Sequence, residues 1–293
     1  MLKSVLRWCL LLTTLLVVGP ILAHFARSLR DADGGRAFTL LVNESPFSGL
    51  LLGLAATVAA LLLGLIGSRF FALNAGYAMA GLVFGWASWQ LGDVESIIRR
   101  ARSGGDFPLL AIEGGLAVIA AAAVAVVLSR AAEHHRPTPK GTQRALGGWR
   151  GMCFHADSAA TPAAVGIAVL AAAAACAAAV WIISVNPLKG QALFATLMGG
   201  IAAGAAANAA AGAKAHVQPL VAILGMMAVA VAAPLTAMLL HGSGIVEASF
   251  SDKLLPLSRP LSLDWACGAL LGVPIGMGWT GAVLDSRAVE HPA

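Results

Sequence analysis

The sequence has 293 residues, of which 59% are hydrophobic and only 11% are charged. A soluble domain carries about 25% charged residues, so this composition excludes an ordinary water-soluble fold. It predicts an integral membrane protein whose partner is the lipid bilayer, built as a single transmembrane domain over residues 1–293. The net charge of +5 does not indicate nucleic-acid binding, because Lys and Arg are scattered over several loops without a basic stripe.

Apolar runs need about 20 residues to cross a bilayer. Eight such runs predict an all-α polytopic bundle of about eight transmembrane helices. They cover residues 5–23, 48–66, 70–91, 107–129, 163–184, 190–212, 217–240 and 264–284. The first run follows Lys3 and Arg7, but no A-x-A cleavage site follows Gly19-Pro20, so we expect an uncleaved span.

The distribution of basic residues gives a weak indication of orientation. Lys and Arg are divided almost evenly between the two sides, but the largest block lies in the longest loop, 130–162. The positive-inside rule then places both termini in the cytoplasm. No organelle-targeting signal is evident, so the bacterial inner membrane is the expected location. Short turns between antiparallel helices are expected near 67–69, 185–189 and 213–216.

One of the longer connections carries a helical pattern. In the sequence VESIIRRAR (residues 94–102), the apolar residues recur at helical spacing opposite Glu95, Arg99 and Arg102. This pattern predicts a short amphipathic helix near 94–102, lying at the membrane interface.

Glu113 is the clearest ionisable residue within a predicted span. It lies six residues after Phe107, which is about 9 Å into the helix. Such residues are costly in a membrane and are candidates for function. Glu113 could be a proton or cation site or a partner for Arg99, Arg100 or Arg102. The alternative is a structural role, in which the side chain extends outward or hydrogen-bonds a neighbouring helix.

Three further polar residues within spans are candidate sites. Asn74 and Tyr77 are three residues apart and are expected on one helix face. With both termini inside, Asn74 and Asn208 are expected near the inner ends of their spans, whereas Glu113 is expected near the outer end of its own. Each could contact a ligand, although interhelical hydrogen bonds are the commoner role of such residues. The candidates do not converge at one level of the bilayer, which argues against a transporter site.

Glycine spacing predicts helix packing. Gly200, Gly204, Asn208 and Gly212 recur every four residues, and a second set recurs in the last span, consisting of Gly268, Gly272 and Gly276. Faces of this kind allow close approach of two helix backbones, so we expect a packing seam with Asn208 as a hydrogen-bonding residue within it. Gly81 and Gly85 show the same spacing in the third span.

Motifs for catalysis, cofactors and metals are absent from the sequence. It contains no H-E-x-x-H, no P-loop and no dinucleotide fingerprint, so neither an enzyme nor a cofactor is expected. His134, His135, Cys153 and His155 share one loop, but their spacing matches no zinc signature. The four cysteines form no disulfide pattern.

Two functions remain open from the sequence. The first is a noncatalytic subunit or scaffold of a membrane assembly, with other membrane proteins or further copies of the chain as partners. The second is a small-solute or ion transporter or channel that uses Glu113 and the late helices interrupted by Pro234 and Pro274.

Overall fold

A computed structural model describes residues 2–29, 37–101, 104–133, 161–211 and 217–290. The described residues are mostly helical and include no strands. The helices in chain order are α1 (Leu2–Thr13), α2 (Gly19–Arg27), α3 (Pro46–Phe70), α4 (Leu73–Trp89), α5 (Val94–Ala101), α6 (Phe107–Glu133), α7 (Pro162–Ile183), α8 (Lys189–Ala211), α9 (Pro219–His241), α10 (Ile245–Phe250) and α11 (Ser262–Glu290). A π-helical turn, Thr14–Val18, joins α1 to α2 just before Pro20, whose missing N–H favours such a turn.

Each predicted span corresponds to a helix or, for the first, to α1 and α2 with the turn between them. Within the described residues, six helical segments are long and apolar enough to cross a membrane. They are Ser4–Arg27, Pro46–Phe70, Phe107–Ala132, Pro162–Ile183, Lys189–Ala211 and Pro219–Phe250. The count of about eight is thus supported only in part, because α4 and α11 are not among the six.

Local sequence explains several of the helix ends. Proline occupies the first turn of α3, α7 and α9, where its missing N–H costs nothing. Thr161 also caps α7 by accepting a hydrogen bond from the Ala164 N–H at 3.3 Å. The short turn expected near 67–69 lies a few residues later, because α3 continues to Phe70 and the chain reverses at Phe71 and Ala72.

Helix α11 lies at the centre of the bundle and contacts α4, α6, α8 and α9. Helices α7 and α8 pack against each other, α3 packs on α4 and α6, and α2 packs on α4. The connections before α3, between α4 and α6, between α7 and α8, and between α9 and α11 all meet at one end of the bundle, which we call the loop end. Charged side chains collect there.

The short helix predicted near 94–102 is present as α5, Val94–Ala101. Its apolar residues Val94, Ile97 and Ile98 are buried, and α10 packs against it. Glu95 was expected on the exposed face with Arg99, but it is 3% exposed. The expectation fails because α10 and the segment after it cover this side of α5 as well.

Candidate functional site

Glu113 lies in the second turn of α6 and is 1% exposed. Three donors bind its carboxylate. The Thr39 hydroxyl and the Leu41 backbone N–H donate to Oε1, the latter at 2.5 Å, and the Ser262 hydroxyl donates to Oε2 at 3.1 Å. The carboxylate therefore joins α6 to the segment before α3 and to the first residue of α11.

The segment that Glu113 holds, residues 37–45, has an ordered fold of its own. The Thr39 N–H donates to the Val42 carbonyl at 2.8 Å, and the Val42 N–H donates to the Thr39 hydroxyl at 3.1 Å. The Asn43 amide donates to the Thr39 and Leu40 carbonyls at 2.9 and 2.8 Å. The segment therefore closes over Glu113 as a compact turn.

Arginine was one expected partner of Glu113, and the structure gives a different arrangement. Arg99 donates to Glu95 at 3.1 Å, and Arg100 lies 3.9 Å from the exposed Glu44. Arg102 lies outside the described residues. The donors on Glu113 are hydroxyl and backbone groups, which anchor a loop.

A small cavity adjoins the Glu113 site beside Pro234 of α9. Pro234 has no N–H to give to the Ala230 carbonyl, and Gly114 of α6 leaves room for that oxygen, since a Cβ there would lie 3.0 Å from it. The cavity measures about 10 Å³ and is lined in part by Ala230, Pro234 and Ser262. Its volume suits about one water molecule.

Asp264 forms a second buried polar cluster at the loop end. It is the first residue of the predicted span 264–284, and in the structure it lies in the first turn of α11 and is 0% exposed. Its Oδ2 accepts hydrogen bonds from Lys189 Nζ and from the Leu261 N–H, both at 2.8 Å, and its Oδ1 accepts one from the Ser88 hydroxyl at 2.5 Å. Asp264 thus joins α4, α8 and α11.

Arg259 forms a third cluster and is 3% exposed. Its Nη1 donates to the carbonyls of Ser184 and Val185, and its Nη2 donates to Asp252. Its Nε lies 3.6 Å from Glu95 Oε1, and neither of these two atoms has a hydrogen-bond partner among the described residues. Burial raises the pKa of the Glu95 carboxyl above its usual range, although Arg259 and Arg99 oppose the shift.

Asn74 and Tyr77 do not form a joint site. Asn74 is exposed in the first turn of α4, whereas Tyr77 is fully buried. The Tyr77 hydroxyl lies 3.1 Å from the Ser129 hydroxyl and donates to the Ala125 carbonyl at 3.3 Å. Tyr77 therefore forms an interhelical hydrogen bond between α4 and α6.

Asn208 and the glycine set lie where α8 meets α11. The Asn208 amide donates to the Thr280 hydroxyl at 3.1 Å. A Cβ at Gly200 would overlap the Gly268 carbonyl oxygen, and one at Gly204 would overlap that of Val273. In the opposite direction, a Cβ at Gly268, Gly272 or Gly276 would overlap carbonyl oxygens of α8. Gly212 lies outside the described residues.

Metal-binding groups of three or more His, Cys, Asp or Glu do not occur in the described part of the chain. His134, His135, Cys153 and His155, and with them most of the loop 130–162, lie outside it. The cysteines that the structure does describe, Cys9, Cys176 and Cys267, are free thiols.

Apolar helices of spanning length and a charged loop end define a multi-pass helical membrane protein. No protein-family model, curated protein or solved structure matches the chain.

Proposed function

We propose that the chain is a noncatalytic subunit or scaffold of a membrane assembly in the bacterial inner membrane, with eight spans and cytoplasmic termini. The observation that carries the proposal is that Glu113 is buried and fully hydrogen-bonded. Its carboxylate is the best transport candidate in the sequence, yet it binds three donors and is covered by residues 37–45. The adjoining cavity of about 10 Å³ is too small for a solute larger than water.

The outer face of α7 supports a partner in the membrane. Its most apolar stretch is only 22% buried, and its exposed positions combine the small residues Gly166, Ala174 and Ala178 with the large apolar residues Ile167 and Leu170. Small residues allow a second helix to approach closely, and the larger ones beside them can pack against it. A transmembrane helix of another protein is the occupant that suits this face.

The two helices outside the set of six also fit eight spans. Helix α4 has 17 residues, or about 26 Å at 1.5 Å per residue, close to the bilayer core of about 30 Å. Helix α11 has 29 residues and exceeds that thickness. Both lie inside the bundle against helices that are apolar enough to span, so neighbours offset their lower hydropathy.

The test is the composition of the assembly. We expect the tagged full-length chain, purified in mild detergent, to retain a partner membrane protein at fixed stoichiometry. Ala174→Leu on α7 should release it by blocking close approach. Leu62→Phe, which adds bulk to an exposed position of α3, serves as the control and should retain the partner. A monomeric wild-type chain, or equal retention by both variants, would refute the proposal.

Transport through the Glu113 site is the second candidate, and the position of Pro234 inside α9 beside a water-sized cavity favours it. Its test is Glu113→Gln in reconstituted vesicles assayed for proton and monovalent-cation flux. Transport predicts wild-type flux that the variant loses. Absence of flux from the wild type, or equal flux from both proteins, eliminates this candidate.

A further inference from the structure

An apolar groove lies between α4, α8 and α11. Helices α4 and α8 both pack on α11 but touch each other little, so a trough of about 400 Å³ opens along α11. Cys267 and Leu271 of α11 line its floor, and Trp89 and Phe194 stand about half exposed at its rim. Its volume falls in the range of small-molecule sites, about 300–1,000 Å³.

The groove is deep because one of its walls carries a glycine in place of a side chain. Gly85 lines the α4 wall, and a Cβ there would come within 3.0 Å of the Cys267 sulfur. Leu82 and Leu197 complete the two side walls, so the lining is almost entirely apolar along its length. Such a trough suits a flexible hydrocarbon chain.

The same three helices carry a charged group beyond one end of the groove. Asp264 lies about one helical turn from Cys267 on α11 and binds Ser88 of α4 and Lys189 of α8. The ammonium group of Lys189 has three N–H donors, of which Asp264 takes one at 2.8 Å. The Lys189 side chain is 11% exposed, and Asp264 is the one hydrogen-bond partner of its ammonium among the described residues, which leaves N–H donors for an anionic oxygen arriving from the loop end.

We propose that this groove binds one acyl chain of a bilayer phospholipid, with the lipid phosphate beside Lys189. The apolar trough suits the acyl chain, and the ammonium of Lys189 suits the phosphate. The trough and the ammonium follow each other in the direction of α11, as the acyl chain and the phosphate do along a lipid. The site does not depend on the assembly role proposed above, because its walls and its lysine come from the chain itself.

Photolabelling of the full-length chain in phosphatidylcholine vesicles tests the site. A trace of phosphatidylglycerol with a diazirine in its acyl chain is irradiated, and the adducts are mapped by mass spectrometry. We expect adducts on the groove segments 82–89 and 193–197 to exceed, several-fold, those on the exposed α7 segment 167–170. A diacylglycerol probe without a phosphate should label the groove about fivefold less, since one lysine contributes about that factor to an anionic headgroup.

Leu197→Trp fills the trough from the α8 wall and should abolish the groove adducts while leaving those on α7 unchanged. Leu170→Trp on the exposed α7 face is the matched control and should leave the groove adducts intact. Should Leu197→Trp elute as an aggregate, Leu82→Phe closes the trough from α4 instead. If the phosphatidylglycerol probe labels the groove and α7 equally, the proposed site is wrong. If the two probes label the groove equally, the proposed role of Lys189 is wrong. An unlabelled groove in a chain that elutes as a dimer assigns it to a second copy.

Discussion

The seam between α8 and α11 leads to a sharp prediction at Gly204. A Cβ added there would overlap the Val273 carbonyl oxygen and lie 3.1 Å from the Met277 nitrogen. Both atoms belong to the backbone of α11, so no side-chain rotation relieves the overlap and the helices must separate. Overpacking costs about 1–3 kcal/mol, whereas replacing a helical glycine by alanine gains about 1 kcal/mol. We therefore expect Gly204→Ala to lose up to about 2 kcal/mol, and Gly204→Leu to prevent folding.

Gly278 of α11 provides the matched control, because a Cβ there meets no atom within 4 Å. Gly278→Ala gains helix propensity without an overlap and should be as stable as the wild type or more so. Thermal unfolding in mild detergent, followed by loss of the monodisperse peak in size-exclusion chromatography, compares the two alanine variants. If Gly204→Ala unfolds at or above the temperature of Gly278→Ala, the close approach of the helices is wrong.

Two further predictions concern the charges of the loop end. Asp264→Asn or Lys189→Met alone should lower the free energy of unfolding by about 3–5 kcal/mol, because each leaves a buried charge without its partner. The double variant Asp264→Leu/Lys189→Met should recover most of that loss in the same unfolding assay. Single variants as stable as the wild type would contradict a buried pair. Burial raises the pKa of Glu95, so its stabilising contribution is full below the pKa of the unfolded chain and is lost as pH rises through the folded-state pKa. From pH 4 to pH 7 we therefore expect Glu95→Gln to gain thermal stability relative to the wild type, and parallel pH profiles of the two proteins would refute this.

The positions of the long helices could be predicted from the sequence because hydropathy is a local property. Helix α7 runs from Pro162 to Ile183 where 163–184 was predicted, and α9 runs from Pro219 to His241 where 217–240 was predicted. Segment α5 was likewise predicted from a period that its own residues carry. Which helices pack together is not a local property, so the sequence left open the partner of the glycine set.

The polar clusters could not be predicted, because each depends on residues far apart in the chain. Asp264 binds residues 75 and 176 positions away. The sequence did hold one signal, since Lys189 and Asp264 carry opposite charges at the starts of two spans on the same predicted side. Glu95 gave no such signal, because helical periodicity cannot show that a second segment covers the polar face of α5.

The placement of the charges explains how a carboxylate can be accommodated within a span. An isolated charge is costly at the centre of a bilayer, but near a helix end a folded loop can supply its hydrogen bonds. Glu113 and Asp264 are both satisfied in this way, by residues 37–45 and by the start of α11. The connections at this end are therefore parts of the core rather than linkers. Asn208 needs no covering loop, because its side chain is uncharged. Close packing of α8 and α11 and the hydrogen bond of its amide are enough to accommodate it.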